Sequence, residues 1–360
     1  RMLRFKEYLT EADTSTATLT EMAICYQFNT TIKNMDHETA MKEAEIEPKS
    51  FSKFEGLLET GKNMVEGLVK EDSGIAKQNK AVHYGGGSDG VTPFWSKYGA
   101  GAKAASRTPK TDLYIGKYNI SLKMGAAQLM SGFKEESFAT FYAALEETDG
   151  LANTPEVKDC ISLIEKFSRG ITIGTTASVI KNKTDDAVVD ANRVHKELMN
   201  KLGVMFEKNS KFKFEFVKEA MSGYKKFGKG SRAAAEYFLV GGKGGKSVSF
   251  HSIDDDSYVS KVVGAMTLSV KMKSTSRKTL DAAPGERTWW SALGLTVKDM
   301  SKKLQKEEYL SEGIISNIIS KARNALGKTM KTVKGLVKKT FSKFLDYVAV
   351  KPEVSYTIKF

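Results

Sequence analysis

The chain has 360 residues and a mass of 39.7 kDa, which predicts two domains or one large domain with appendages. With 41% hydrophobic and 28% charged residues, and 6 prolines beside 30 glycines, the composition excludes collagen-like, mucin-like and wholly disordered proteins. A formal net charge of +13 favours polyanionic partners such as DNA, although a basic surface can also serve solubility alone.

The hydrophobic pattern and the cysteines indicate the compartment. No stretch approaches twenty uncharged apolar residues, and the first residues contain no secretory hydrophobic region, so we expect neither secretion nor a transmembrane helix. Cys25 and Cys160 are too few for a disulfide framework and have no Cys or His partners at zinc-site spacing. Both cysteines are therefore expected to be reduced and buried, in a cytoplasm-like compartment.

The first hundred residues predict helices followed by a long loop. Residues 1–50 have weak helical periodicity and predict one or two helices. From Phe51 to Val69 apolar residues recur at three- and four-residue steps, which predicts an amphipathic helix. Residues 85–101 are too glycine-rich for a regular element, so we expect a substrate-facing loop, with Trp95 and Tyr98 as aromatic anchors.

The middle of the chain alternates strand and helix signals. Two β-prone runs at 112–115 and 118–123, separated by Gly116-Lys117, predict a hairpin. A helix is expected from Ala126 to about Glu147, and residues 157–200 predict helices with a β-branched interruption at 171–180. Further strands are predicted at 236–240, 247–253 and 266–273, in an α+β region that ends near Leu295.

Residues 310–348 keep apolar side chains at helical spacing, and 321–343 contain eight basic residues and no acidic one. This pattern predicts a basic amphipathic helix. Its apolar face could pack on the second domain and leave the lysines solvated. Alternatively, the lysines could contact DNA phosphates, or the helix could lie on an anionic membrane surface. The sequence leaves these three interpretations open.

The sharpest local pattern joins an acid and a base across the predicted hairpin. Asp112 begins the first strand, and Lys123 lies on the second, so both side chains can reach the same edge. A carboxylate there can hold a divalent cation, while an ammonium group stabilises charge on a phosphate or orients the attacking water. The alternative is that Asp112 caps a turn and Lys123 is a solvated strand residue.

The segment Thr108-Pro109-Lys110-Thr111-Asp112 and the segment Ile120-Ser121-Leu122-Lys123 resemble the motif of the PD-(D/E)xK nucleases. The resemblance covers about residues 54–147, where a helix, a hairpin and a second helix match the order of that family's core. It implies an α+β fold with a restriction-endonuclease-like αβ core. It also implies hydrolysis of DNA phosphodiester bonds with Mg²⁺ (or Mn²⁺) as the cofactor.

The chain departs from the family motif at one position. Ser121 stands where the second carboxylate is usual, and a hydroxyl is a poorer ligand for a hard divalent cation. Some restriction enzymes with Ser-x-Lys supply a glutamate from the following helix, which points to Glu136, slightly ahead of Glu135. The resemblance thus implies that Asp112 and Glu136 are metal ligands, that Lys123 stabilises charge, and that Ser121 lies beside the ligands.

Three further carboxyl or amide positions belong to this interpretation. Gln128 resembles a polar residue that some family members use near the site. Glu66 and Glu71 could contribute from the preceding helix, but exposed helix carboxylates more often have no such role. If Glu135 and Glu136 lie in an exposed helical turn instead, the core is a degenerate nuclease retained for binding.

The predicted DNA contacts are basic residues of the loop and of the C-terminal helix: Lys103, Arg107, Lys110, Lys321, Arg323, Lys331 and Lys338. The opening residues 2–12, the run at 214–228 and the tail at 351–355 are similar to proteins of large contractile-tailed phages. That similarity implies a phage-encoded protein, in the cytoplasm of an infected bacterium or in the virion, with virion proteins as possible partners. It implies no particular activity.

The expected organisation has four parts. An N-terminal helical segment at 1–50 precedes a nuclease-like core at 51–150. A second α+β domain at 151–300 and a basic amphipathic helical tail at 301–360 follow. The expected function is a metal-dependent DNA endonuclease. The alternative is a virion structural or DNA-binding protein without catalysis, in which the same core serves as a scaffold.

Overall fold

The computed structural model describes residues 16–84, 90–98, 109–125, 127–130, 134–167, 170–173, 186–275 and 287–297. These residues form a mixed α+β fold, which confirms the predicted fold class at that level. The predicted basic tail at 301–360 lies outside the described residues, as do residues 85–89 and 99–108 of the glycine-rich segment.

The helices before the first strand are short segments joined by tight turns: α1 Thr16–Gln27, α2 His37–Glu43, α3 Phe51–Phe54 and α4 Leu58–Glu71. α1 continues into a π-helical turn at Phe28–Ile32. α2 has an N-cap, because the Asp36 carboxylate accepts the N–H of Thr39 at 2.9 Å. The helix predicted over 51–69 is interrupted by a 3₁₀ turn at Glu55–Leu57, where Gly56 lowers helical propensity.

The strands belong to two sheets: β1 Ala81–His83, β2 Leu113–Ile115, β3 Tyr118–Met124, β4 Ala127–Gln128, β5 Gly170–Ile173, β6 Tyr237–Gly241, β7 Ser249–Ser252, β8 Met266–Thr275 and β9 Arg287–Val297. The first sheet has the order β1-β2-β3-β6-β7. Its neighbours are antiparallel except β3 and β6, which are parallel. In the second sheet, β9 pairs with β4, β5 and β8.

The remaining helices lie between or beside these strands: α5 Pro93–Tyr98, α6 Lys134–Glu146, α7 Pro155–Phe167, α8 Asp186–Lys208, α9 Ser210–Ser222, α10 Tyr224–Phe227 and α11 Asp256–Ala265. The loop predicted over 85–101 is wrong in one part, because α5 lies within it. Proline at the first position of a helix is favourable, and Trp95 is buried at 2% exposure. Tyr98 stacks on Tyr142 with ring centroids 4.2 Å apart, so both predicted aromatic anchors contact the fold.

The predicted hairpin is confirmed as β2 and β3. Leu113 pairs with Ile120, and Ile115 pairs with Tyr118. Gly116 has a φ of +57°, the left-handed region that a two-residue hairpin turn requires and that glycine adopts most easily. The turn and the alternation of the strands together fix the register of the site residues that follow.

The helix predicted from Ala126 begins later than expected. The structure has strand β4 at Ala127–Gln128, and α6 begins at Lys134. Gln128 pairs with Thr296 of β9. Because the partner strand is distant along the chain, the local sequence pattern contains no signal for this pairing.

One face of the first sheet packs against α1 and α4. Ile24 and Phe28 of the N-terminal helical segment belong to one buried hydrophobic cluster with Met64 and Leu68 of α4 and Ile120 of β3. Strands from the predicted nuclease-like core and from the predicted second α+β domain lie together in this sheet. Cys25 and Cys160 are both buried free thiols, as predicted.

The close crossing of α1 and α4 depends on Gly61. A Cβ atom at this position would lie 2.6 Å from the Ala23 carbonyl oxygen, and a backbone atom cannot give way cheaply. We expect Gly61→Ala to lower the free energy of unfolding by about 2 kcal/mol through overpacking. Gly56 is the matched control, because a Cβ there meets nothing within 4 Å. Urea midpoints that are equal for the Gly61→Ala and Gly56→Ala variants would contradict this prediction.

Among the described residues, no helix combines the length and the apolar character needed to cross a bilayer.

Candidate functional site

The structure brings Asp112 and Lys123 together beside β2 and β3. The Asp112 Oδ2 atom accepts the backbone N–H of Leu122 at 2.7 Å and the hydroxyl of Ser121 at 3.1 Å. Lys123 Nζ lies 3.3 Å from the same oxygen. Both side chains retain access to solvent, with 26% exposure for Asp112 and 18% for Lys123. A substrate group can therefore reach this ion pair.

The Lys123 ammonium group is held on several sides. Besides Asp112, it donates to Ser121 Oγ at 2.7 Å and to the Leu122 carbonyl at 3.0 Å, and it lies 5.5 Å from the centroid of the Phe238 ring. Ser121 is buried and bridges the two charged groups, since its hydroxyl accepts from Lys123 and donates to Asp112. Ser121 thus orients the pair.

Strand pairing fixes the backbone of Asp112. Its N–H donates to the Ile120 carbonyl at 2.9 Å, and its carbonyl accepts the N–H of Tyr84 at 3.0 Å. The preceding Thr111 hydroxyl donates to the Ala234 carbonyl at 3.0 Å. The carboxylate therefore extends from a backbone that is bonded to the neighbouring strand and to the segment before β6.

The sequence did not identify Glu21 of α1, whose partner in the structure is His83 at the end of β1. Glu21 is buried, and its Oε2 atom lies 3.2 Å from Nε2 of the buried His83 at the end of β1. The pKa of the Glu21 carboxyl is raised overall, and burial is the main cause. The charge of Asp112 also raises this pKa, whereas the hydrogen bond with His83 and the charge of Lys123 lower it. These influences indicate that Glu21 lies within electrostatic range of Asp112 and Lys123.

A weak signal for Glu21 exists in the sequence. It is an acid directly before the apolar run Met22-Ala23-Ile24-Cys25, and buried carboxylates are rare unless they are paired or functional. However, about ninety residues separate it from Asp112, so motif spacing gives no reason to join them.

The residues predicted from α6 have other surroundings. Glu136 is buried, and its Oε1 atom lies 2.5 Å from Lys110 Nζ, which also donates to the Leu129 carbonyl at 3.0 Å. The Glu135 backbone is in α6, but its side chain lies outside the part of the structure that is described. Gln128 is exposed in β4, and its amide donates to the Met130 carbonyl at 2.6 Å.

The predicted DNA contacts are only partly within the described chain. Lys110 is 11% exposed and pairs with Glu136, which leaves it little surface for a phosphate. Lys103, Arg107, Lys321, Arg323, Lys331 and Lys338 lie outside the described residues. Glu66 is exposed on α4.

Two more buried ionisable side chains, Glu219 and Lys226, interact electrostatically with Lys110 and Glu136. Burial raises the pKa of Glu219 to about 7. The Glu219 carboxylate accepts hydrogen bonds from the backbone N–H groups of Lys225 and Lys226, and these bonds lower its pKa. Burial lowers the pKa of Lys226 to about 8, and Glu136 acts in the opposite direction. The Lys226 ammonium group lies 5.0 Å from the centroids of the Trp95 and Phe227 rings.

Glu219 should make stability depend on pH. Between its ordinary pKa of 4.5 and the folded value of about 7, the folded protein binds more protons than the unfolded chain. Its contribution is therefore complete below 4.5 and is lost as pH rises through 7, a fall of about 3 kcal/mol. We expect Glu219→Gln to remove this fall in urea unfolding between pH 5 and pH 8, whereas the exposed Glu207→Gln should retain it. An unchanged fall in Glu219→Gln would contradict the prediction.

The side chains around Asp112 determine which kind of metal ion could bind there. Within the described ranges, no group of three or more His, Cys, Asp or Glu side chains forms a metal cluster. A magnesium ion usually takes only one or two carboxylates and completes its shell with water and substrate phosphate. Asp112 supplies one solvent-accessible hard oxygen donor, and the buried Glu21 interacts with it electrostatically; oxygen donors of this kind suit a magnesium ion better than a zinc ion.

Comparisons of the chain with protein-family models, with curated protein sequences and with solved structures return no match.

Proposed function

We propose that this protein is a metal-dependent DNA endonuclease that hydrolyses phosphodiester bonds. The observation that carries the proposal is the contact between Asp112, which directly precedes β2, and Lys123 of β3, both with access to solvent. The hairpin follows α4, β1 and α5 and precedes β4 and α6, and an order with a helix before the hairpin and a helix after it supports a restriction-endonuclease-like core. An acid that binds a cation beside a base that binds a phosphate is the pairing that this reaction requires.

Asp112 and Glu21 would hold Mg²⁺ or Mn²⁺. When bound, the ion polarises a phosphate oxygen and makes a coordinated water more acidic. We assign the second carboxylate to Glu21 rather than to Glu136, because Lys110 already neutralises Glu136 at 2.5 Å. Glu21 thus compensates for Ser121, which lacks the carboxylate usual at that position. Its burial matters, since a desolvated carboxylate gains more from a divalent cation than a hydrated one.

Lys123 stabilises negative charge on the phosphate, and Ser121 orients it. The ammonium group needs a fixed position to act on charge that develops during the reaction. Its bonds to Ser121 Oγ and to the Leu122 carbonyl supply that position. Since the same group lies 3.3 Å from Asp112, the chain keeps the acid and the base in register before a substrate arrives.

DNA is the proposed substrate because phosphate contacts do not depend on sequence and suit a basic protein. The net charge of +13 supplies long-range attraction that weakens as salt is added. The basic residues at 321–343, together with Lys103 and Arg107, are proposed to contribute phosphate contacts. The similarity to phage proteins supports a role in an infected bacterium or in the virion.

One observation favours a second candidate function. Lys123 neutralises Asp112 directly, and Ser121 replaces the usual acid, an arrangement that would also suit a non-catalytic DNA-binding or virion protein. In that case the ion pair stabilises the hairpin and the core serves as a scaffold. Binding of DNA without cleavage would identify a non-catalytic DNA-binding protein. Binding of virion proteins instead of DNA would identify a structural virion protein, and binding of anionic vesicles would identify a membrane-associated protein.

The test is a cleavage assay with the full chain on supercoiled, linear and single-stranded DNA. We expect supercoiled plasmid to be nicked or linearised with Mg²⁺ or Mn²⁺, and to stay intact with EDTA. Titration with salt should weaken DNA binding on all sequences alike. If all three substrates stay intact with both metals, the proposed hydrolysis is wrong.

A further inference from the structure

Four ionisable side chains, one of them only two residues before Asp112 in the chain, lie in a part of the fold that the proposed reaction does not use. They are two acids and two lysines, each buried or nearly so: Lys110, Glu136, Glu219 and Lys226. Buried charges are costly unless they are paired and hydrogen-bonded. Their positions therefore depend on one another, and a substitution of one side chain should shift the backbone segments that carry the other three.

Lys110 connects this group to the site. Its ammonium group donates to Glu136 at 2.5 Å and to the Leu129 carbonyl at 3.0 Å. Its own N–H donates to the Ala233 carbonyl at 2.8 Å. Asp112 follows two residues later, and its N–H is bonded to the Ile120 carbonyl. The short segment 110–112 is thus held by the buried ion pair at one end and by the sheet at the other.

The fold makes room for the Lys110 side chain at Gly223. This glycine ends α9 with a φ of +66°, a conformation that other residues adopt with strain. A Cβ atom there would lie 2.8 Å from Lys110 Cγ. The lysine stem consequently passes directly over the end of α9, and its path toward Glu136 is set by backbone on that side.

We propose that Lys110 and Glu136 are positioning residues that fix the direction of the Asp112 carboxylate. This inference rests on the proposed function, because it concerns the geometry in which Asp112 meets the metal and substrate. The buried pair holds segment 110–112 against residues 129 and 233. Asp112 then keeps Oδ2 on the Leu122 N–H, at 2.7 Å, instead of sampling several directions.

The decisive variant is the double substitution Lys110→Met/Glu136→Met. Replacing both members of a buried ion pair with apolar side chains often preserves stability, so the protein should fold while losing the directional contact. The control is Lys201→Met/Asp159→Asn, which removes another pair that is 2.5 Å apart but more exposed, at 38% and 54%. Lys110→Arg keeps the charge and should retain most of the wild-type behaviour.

Two measurements are made on the full chain. In cleavage with Mg²⁺, we expect the double variant to lose about 10- to 100-fold in kcat through misplacement of Asp112, with the KM for DNA unchanged. In protein with nitrogen-15-labelled leucine, the Leu122 amide should lose about tenfold in hydrogen-exchange protection, as its bond to Asp112 weakens. The control pair should change neither quantity.

The outcomes separate this inference from the proposed function. If the double variant folds and keeps both the wild-type kcat and the wild-type Leu122 protection, the positioning role is wrong. If the wild-type protein cleaves no DNA, the nuclease proposal fails, and the Leu122 amide alone decides the positioning role. If the double variant does not fold, Glu136→Gln and Lys110→Arg are compared by the same amide. Equal protection in those two variants would overturn the inference.

Discussion

Asp112→Asn is expected to lower the rate of DNA cleavage by about a thousandfold, which corresponds to roughly 4 kcal/mol of lost transition-state stabilisation. Asparagine has nearly the same shape and keeps an oxygen that can accept the Leu122 N–H, now 2.7 Å from Oδ2. The substitution removes the negative charge, which both the proposed cation and Lys123 require. The measurement is the initial rate of plasmid nicking with saturating Mg²⁺.

The matched control for this variant is Asp159→Asn. Asp159 also pairs with a lysine, at 2.5 Å, but it is 54% exposed and has no part in the proposed site. The Asp159→Asn protein should cleave DNA at the wild-type rate. Circular dichroism and urea midpoints should show that both variants are folded. An Asp112→Asn protein that cleaves within threefold of the wild-type rate would remove Asp112 from the reaction.

The second large effect concerns Glu21. We expect Glu21→Gln to lower kcat by about a hundredfold and to raise the Mg²⁺ concentration for half-maximal activity by at least about tenfold. The shift in Mg²⁺ dependence distinguishes a ligand from a residue that only positions Asp112. Glu135→Gln tests the acid predicted from the following helix, and Glu66→Gln, an exposed helix acid, is the neutral control.

The Glu21→Gln variant should be at least as stable as the wild type, although we expect its activity to fall. Burial raises the pKa of Glu21, so the folded state disfavours the ionised carboxylate. The contribution of Glu21 to the free energy of unfolding is therefore lost as pH rises and the carboxyl ionises. At pH 8 a neutral glutamine removes that cost while keeping a hydrogen-bond partner for His83. We expect the Glu21→Gln urea midpoint at pH 8 to equal or exceed that of the wild type. A marked loss of stability, with unchanged Mg²⁺ dependence, would instead indicate a structural role.

Local sequence signals predicted the part of the site that is local in the chain. Lys123 lies on β3 and Asp112 directly precedes β2, the two strands of one hairpin, and the turn residue Gly116 sets their register. Alternation and turn chemistry extend over only about a dozen residues. That range is enough to place an acid and a base side by side, without any knowledge of the rest of the fold.

The surroundings of the site depend on contacts that no local pattern contains. Glu21 meets His83 because α1 packs on the sheet, and Glu136 meets Lys110 because α6 lies against the segment before β2. Glu136 was predicted as a ligand on the basis of its distance along the chain from Lys123. Helix orientation is set by tertiary packing, so this distance could not tell a metal ligand from a partner of a buried lysine.

The parallel pairing of β3 with β6 has a consequence for synthesis of the protein. β3 ends at Met124 and β6 begins at Tyr237. At ribosomal speeds, translation from β3 to β6 takes on the order of ten seconds, and one edge of β3 has no partner strand during that time. During that interval the nascent chain presents open backbone groups beside Ser121 and Lys123, which other chains or chaperones can bind. The hairpin of β2 and β3 therefore pairs with its parallel neighbour only after Tyr237–Gly241 has been translated.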